Sequence, residues 1–558
     1  MSSSTAMHDR GEPAPPPAGD PALLRAMADP ATYDATTRVA VHETHASWVF
    51  VTDGRAYKVK KPVVLGFLDY RTPALRRAAC EEEVRVNAEL AGDLYLGVCA
   101  IVRSGEGFEL AREHDPGAVE YAVEMRSFDE SDSLAGLIAA GALRREQLEA
   151  VARRLADFHR RAPQVDGACP RQVLEMWERN LRELAAVARE QGIGWTFDVP
   201  LGFGDAFVAL HAEEIERRRR AGLVRDGHGD LRCEHVLAVG AVRIVDRIEF
   251  DPAFRHTDIA CDLAFLAMDL EAFGQRWAAE ELIGAYRRNG LDLGSEALLA
   301  FYGAHRAFVR AKVALIAAGE HHAGSARAEQ LARAEAMWAL GERLCWRARE
   351  PLALILCGPA ASGKSTLAQE LSRRSGFEVL SSDAIRKLGA GLAVSERAGS
   401  ELYDPAVSRA TYERLGLDAK AKLESGRAVI VDATCRLRSD RARLFEPVSQ
   451  SRAPFLAVRC SVPLAVALER AHRRMQARHV SDATPEIVAE QFRSFEELEE
   501  LPAAAVYECD TQRPLGAQVD EVAHALDRSL AGAARTAGIG AGAGAGAGAA
   551  AAAETRAR

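Results

Sequence analysis

Aromatic residues make up only 6% of this 558-residue chain, and its ten cysteines are scattered without a single CxxC pair. That spacing excludes a structural zinc site and a secreted disulfide framework, and it predicts a reduced, cytoplasmic protein. No run approaches the ~20 apolar residues that cross a bilayer, and MSSSTAMHDRGEPAPPPAGDP at the start has no apolar signal core. Basic excess is missing too: the formal net charge is −9, which predicts no nucleic-acid partner and no anionic membrane surface. The one basic run, Arg217 to Arg220, reads as a solvated helix face. What remains, 48% hydrophobic and 27% charged residues, is a globular composition in a chain too long for one hydrophobic core.

Texture divides the chain. Residues 1–20 are rich in Pro and Ser, and 533–558 are rich in Gly and Ala; both ends are expected to be disordered. WVFVTDGRAYKVKK alternates on either side of Asp53-Gly54, a hairpin signal, and LRRAACEEEVRVNAELA then reads as a helix. From about 134 the pattern is mostly helical, interrupted at 228–250 by a loop and two strand candidates, VLAVG and VRIVDRIEF. After Pro351, buried strand candidates LALILC, FEVLS, AVIVDAT and FLAVRC alternate with helical segments, which predicts a parallel sheet. The boundary is placed near 348, giving a two-lobed α+β domain at 21–348 and an α/β domain at 349–532.

GPAASGKST, residues 358–366, fits G-x-x-x-x-G-K-[ST] between a strand and a helix. Gly358 and Gly363 let backbone N–H groups turn toward phosphate oxygens, and the helix N-terminus adds partial positive charge. Lys364 is expected on the β- and γ-phosphates, with Ser365 on Mg²⁺ and Thr366 beside it. SDAIR follows the strand FEVLS and resembles the substrate-side motif of small P-loop kinases such as polynucleotide kinases, gluconate kinases and zeta-type toxins. That resemblance implies Asp383 as base and Arg386 as a substrate or phosphate ligand; the position of Asp383 also suits a helix N-cap, and one residue can cap and catalyse. Asp432 resembles the second acidic strand end, which supports the metal shell. LERAHRRMQAR resembles the arginine-bearing lid of these kinases; Arg470 and Arg474 share one helix face.

A second motif stands in the N-terminal half. HGDLRCEHV, residues 228–236, followed by VRIVD, resembles the catalytic loop of the aminoglycoside phosphotransferase family, usually HGDLHxxN, and the protein-kinase pattern with Asp and Asn five apart. The resemblance implies Asp230 as the base and Asp246 as a Mg²⁺ ligand. His235 stands where Asn is usual; an imidazole suits Mn²⁺ better than Mg²⁺, and a purely structural role is the other reading. Lys58 and Lys60 share one strand face, so either one fits as the phosphate lysine, with Glu83 or a neighbour as its helix partner. Asp258 and Asp262 are expected to brace the loop. No GxGxxG precedes the lysine strand; Thr44, His45 and Ser47 stand in its place.

From about 25 to 530 the chain resembles a bacterial two-domain family, an aminoglycoside phosphotransferase-like domain fused to a P-loop kinase-like domain. That implies ATP and Mg²⁺, with Mn²⁺ at the N-terminal site as a further option, and a small-molecule hydroxyl acceptor. The leading expectation is a bifunctional kinase. Two others stand beside it: an inactive kinase-like ligand sensor regulating the P-loop half, and an aminoglycoside-resistance kinase.

Overall fold

The computed structural model describes residues 20–33, 37–65, 68–105, 107–320, 324–393, 404–476 and 484–536. The expected disordered ends fall at 1–19 and 537–558, outside the described residues; the final helix, Leu515–Thr536, continues past the expected end at 532. Packing groups the chain into two compact units: Met1–Asp166 with Gly222–Asp292, and Gly167–Ala221 with Leu293–Arg558.

The first unit holds a six-stranded antiparallel sheet in the order Ala40–Glu43, Ser47–Val51, Arg55–Lys60, Ala118–Arg126, Tyr95–Ser104, Gly107–Arg112. The hairpin forms around Gly54 as the sequence predicts, with Val51 opposite Ala56. Strand alternation then decides the site. Tyr57 and Val59 pack with Met27 and Ile101 on one face, whereas Ala56 packs on the other face with Cys80 and Ala91 of the helix Pro73–Ala91. Lys58 and Lys60 share the parity of Ala56, so both point at that helix.

The 228–250 segment is less regular than its apolar runs suggest. Only Val236–Leu237 and Arg243–Ile244 pair as strands, because Asp246 takes a left-handed conformation (φ 60°) that ends the second run. Behind them runs Ile259–Ala272, buried along nearly its whole length. A short ribbon, Val224–Asp226 with His256–Asp258, has no counterpart in the sequence reading.

The second unit is built on a five-stranded parallel sheet ordered Glu378–Ser381, Val429–Asp432, Ala353–Cys357, Phe455–Ser461, Val506–Asp510. Helices cover both faces. Leu354 and Leu356 pack with Leu367, Leu371, Val522 and Leu526, while Ala353, Ile355 and Cys357 pack with Leu415, Ala419 and Leu444. The edge strand Val506–Asp510 escapes sequence reading because only Cys509 in it is buried.

The texture boundary near 348 and the packing groups differ for a physical reason: Trp346, at the end of Ser325–Arg347, packs edge-on to Phe377 at 5.9 Å inside the sheet's core. The arginine run is not uniformly solvated. Arg219 and Arg220 pair with Glu216, whereas Arg218 is buried. No helix among the described residues is long and apolar enough to cross a membrane.

Candidate functional site

In the second unit the strand register builds the site. Asp432 pairs with Leu356 on one side and with Ser381 on the other, so three parallel strands end level. The phosphate loop, Asp383 and Asp432 therefore sit at one carboxyl edge, where open α/β sheets bind ligands. The loop is closely cut: at Gly363 (φ 101°) an added Cβ would stand 2.9 Å from Thr511. Thr511 Oγ1 donates to Ser362 O at 2.5 Å.

Lys364 begins the helix Lys364–Ser375, and its ammonium donates to Pro359 O at 2.8 Å, folded over the loop. Ser365 and Thr366 are exposed at the helix N-terminus, and the buried Ser362 hydroxyl has no hydrogen-bond partner among the described residues. Such a cradle, with an orphaned hydroxyl and glycines that tolerate no side chain, fits a polyphosphate. The exposed Ser365 hydroxyl and the Asp432 carboxylate fit its Mg²⁺.

Asp383 lies in the first turn of Ser382–Gly389, but the cap is Ser381, whose hydroxyl accepts from Ala384 N. Asp383 pairs with the buried Lys387 at 3.0 Å, and its side chain stays 46% exposed. Arg386 lies one residue before that lysine on the same helix. Arg470 serves the loop itself: it donates to Thr511 O at 2.9 Å and to Thr511 Oγ1 at 3.2 Å. Arg474 is on the same helix, Leu464–Gln476, with its side chain outside the described set; Arg478 also lies outside the described residues. Sequence reading missed Gln491, whose Oε1 accepts from Ala360 N of the loop at 2.7 Å.

In the first unit the two lysines divide the work. Glu83 offers one carboxylate oxygen to each: Lys58 donates to Oε1 at 2.8 Å and Lys60 to Oε2 at 2.5 Å. Lys58 continues to Asp246 Oδ1 at 2.9 Å. Lys60 continues to Glu249, which also accepts from the Tyr70 hydroxyl at 3.1 Å. Burial alone would drive the Lys58 ammonium toward neutrality, but Asp246 and Glu83 outweigh it and hold its pKa well above the lysine norm. Burial likewise opposes ionisation of Asp246, yet Lys58 holds its carboxyl well below the usual range. Lys58 is the lysine open to solvent, at 18% side-chain exposure against 2% for Lys60.

The loop that carries Asp230 hangs from Asp262, which accepts from His228 N at 2.7 Å, Gly229 N at 2.9 Å and His159 Nε2 at 3.1 Å. His159 is anchored in turn by the Tyr286 hydroxyl at 2.8 Å. Gly229 adopts φ 88°, which lets both amides face the same carboxylate. Asp269 takes Cys233 N at 2.8 Å. Asp258 caps its own helix at Ala260 N. Buried His228 donates from Nε2 to Val245 O and accepts from Asp230 N, and burial lowers its pKa to about 4.

His235 donates from Nδ1 to Asp230 O at 2.9 Å. Its Nε2 accepts from Arg232 at 2.8 Å and stands 3.8 Å from Asp246 Oδ2. Thr44 and Ser47 close a tight turn on each other, with Ser47 N donating to Thr44 Oγ1 at 3.0 Å. Among the described residues no cluster of three or more His, Cys, Asp or Glu forms a metal-holding group.

Comparison with known proteins places these features in a lineage. The chain is 32% identical over 466 residues to the Uncharacterized protein Rv2004c of Mycobacterium tuberculosis, covering 81% of this chain and 89% of the relative. The Uncharacterized protein Mb2027c of Mycobacterium bovis matches equally, over the same shares. The chain belongs to the family of these mycobacterial proteins. The model of the AAA domain family matches residues 354–498, the stretch that holds the phosphate loop and both acidic strand ends.

Solved structures with similarity include a gluconokinase from Sinorhizobium meliloti, 21% identical, covering 34% of this chain and 97% of that one, with a TM-score of 0.24. A Mycobacterium tuberculosis APS kinase is 22% identical, covers 32% and 98%, and has a TM-score of 0.25. A choline/ethanolamine kinase family protein from Mesorhizobium loti is 15% identical, covers 58% and 97%, and has a TM-score of 0.32.

Proposed function

We propose that this protein is an ATP-dependent phosphotransferase with two centres, each moving the γ-phosphoryl group to a hydroxyl of a small molecule. The observation that carries the reading is the level ending of three parallel strands, which brings the phosphate loop, Asp383 and Asp432 to one edge. There Lys364 leaves Pro359 O for the phosphates, and the loop amides hold the polyphosphate. Asp383 accepts the acceptor's proton as its oxygen attacks. Ser365 and Asp432 are the residues that would hold Mg²⁺, which supplies charge neutralisation on the phosphates.

In the N-terminal centre the assignment is Lys58 to phosphate, Asp246 to Mg²⁺ and Asp230 to the acceptor proton. Support comes from the shared Glu83 carboxylate, which fixes Lys58 beside Asp246. Mn²⁺ selectivity through His235 finds less support than Mg²⁺ on Asp246, because the Nε2 lone pair already accepts from Arg232.

The test is ATP-dependent phosphorylation of a metabolite panel by the full chain, with Lys364→Ala and Asp230→Asn run in parallel. Two products are expected, each lost in one variant. If Lys364→Ala leaves all turnover intact, the C-terminal assignment fails. Nucleotide binding without turnover in Lys364→Ala favours the sensor reading of the N-terminal half.

A further inference from the structure

Arg232 lies two residues beyond Asp230, and its guanidinium has three neighbours inside the loop: Asp230 Oδ2 at 3.1 Å from Nε, Glu234 Oε2 at 2.6 Å, and His235 Nε2 at 2.8 Å. Its side chain is only 14% exposed, so the position is set by the loop. We propose that the Arg232 guanidinium is the fixed cation of the N-terminal centre, doing there what a second divalent metal does in kinases whose loop carries Asn at the fifth position. The proposal rests on the reading of this centre as a nucleotide site.

The argument runs through the imidazole. Asp230 O accepts only, so His235 Nδ1 must carry the proton that bonds to it at 2.9 Å. Arg232 presents an N–H to Nε2, so Nε2 must carry the lone pair; a protonated ring would set two donors face to face. The nitrogen that would coordinate a metal is therefore occupied by a guanidinium N–H. In a loop with Asn, an amide oxygen attracts a dication. Here the ring attracts Arg232, and the loop brings its own positive charge.

Placement agrees with that role. Arg232 touches Asp230 and His235, and His235 Nε2 stands 3.8 Å from Asp246 Oδ2, so the guanidinium lies beside the base, and the imidazole it bonds faces the metal-side carboxylate. As the acceptor oxygen–Pγ bond forms and the bridge from Pγ to the β-phosphate oxygen breaks, the hydroxyl proton passes to Asp230. ADP leaves with the bridging electron pair. The negative charge on the transferring oxygens then meets planar N–H donors that cannot dissociate.

Metal counting tests this directly. The full chain carrying Lys364→Ala is titrated with Mn²⁺ and a non-hydrolysable ATP analogue, and bound Mn²⁺ is counted by electron paramagnetic resonance with and without Asp246→Asn. One Asp246-dependent Mn²⁺ per nucleotide is expected, rising to two when Arg232→Met and His235→Asn are added. In turnover, Arg232→Met lowers kcat by about 10²- to 10³-fold with KM nearly unchanged. Arg232→Lys recovers part of the loss, and high Mg²⁺ rescues only the Arg232→Met/His235→Asn pair. Two Asp246-dependent Mn²⁺ with Arg232 intact would overturn the proposal, as would unchanged kcat in Arg232→Met. Absence of any Asp246-dependent nucleotide binding would instead remove the nucleotide reading of this centre, and the proposal with it.

Discussion

Glu83 shows how one side chain sets the chemistry of two others. Its oxygens are divided between Lys58 and Lys60, and its side chain is 1% exposed. Lys60→Met leaves a buried carboxylate half-paired and is expected to destabilise the fold by about 3–5 kcal/mol, read from urea denaturation. Lys58→Met is expected to weaken ATP binding at the N-terminal centre by about tenfold or more, the loss of a charge-assisted contact, while shifting the urea midpoint less than Lys60→Met does. Equal effects on binding and stability in both variants would remove the assignment of Lys58 to phosphate.

His228 gives a pH signature. It is fully buried and its folded pKa is about 4 against an ordinary 6.5, so the unfolded chain binds the extra proton between those values. Its contribution is intact above pH 6.5, declines as pH falls, and reaches its full loss, about 3 kcal/mol, below pH 4. Urea midpoints of wild type should therefore fall more steeply from pH 7 to pH 5 than those of His228→Gln.

At the scale of elements, the phosphate loop is held from outside the strand and helix that define its motif. Thr511, at the end of the edge strand, bonds Ser362 O and is itself held by Arg470. Thr511→Val keeps the shape and removes the donor, so nucleotide affinity should fall several-fold while far-UV circular dichroism stays unchanged. Gly363→Ala meets both a left-handed backbone and Thr511 at 2.9 Å, and should cost about 1–3 kcal/mol of stability and abolish binding. LERAHRRMQAR offered Arg470 as one of two lid arginines on a shared helix face. That it braces Thr511 was not legible, because Thr511 lies 41 residues away along the chain.

At the scale of the whole molecule, the sequence boundary near 348 and the packing groups make different claims about what folds together. Trp346 packs with the sheet's core, and Arg349 forms a buried two-point pair with Asp527 at 2.7 and 2.8 Å. Trp346→Ala in the full chain should lower the melting temperature, because it opens the sheet's core at Phe377. An unchanged melting temperature would support the texture boundary.

The sequence by itself determined the phosphate loop, the parallel sheet, the hairpin at Gly54 and the HGD loop at 228–236. These are local: hydrophobic period, glycine placement and short fixed spacings carry them within a few residues. It left Lys58 and Lys60 equivalent, because a period of two places both on one face. The partners Asp246 and Glu249, brought from nearly 190 positions away, give the two lysines different surroundings. It left His235 open as a metal ligand, and only the folded loop gave its two nitrogens to Asp230 O and Arg232. Which lone pair is taken depends on where neighbouring donors sit in space, and one-dimensional spacing does not encode that.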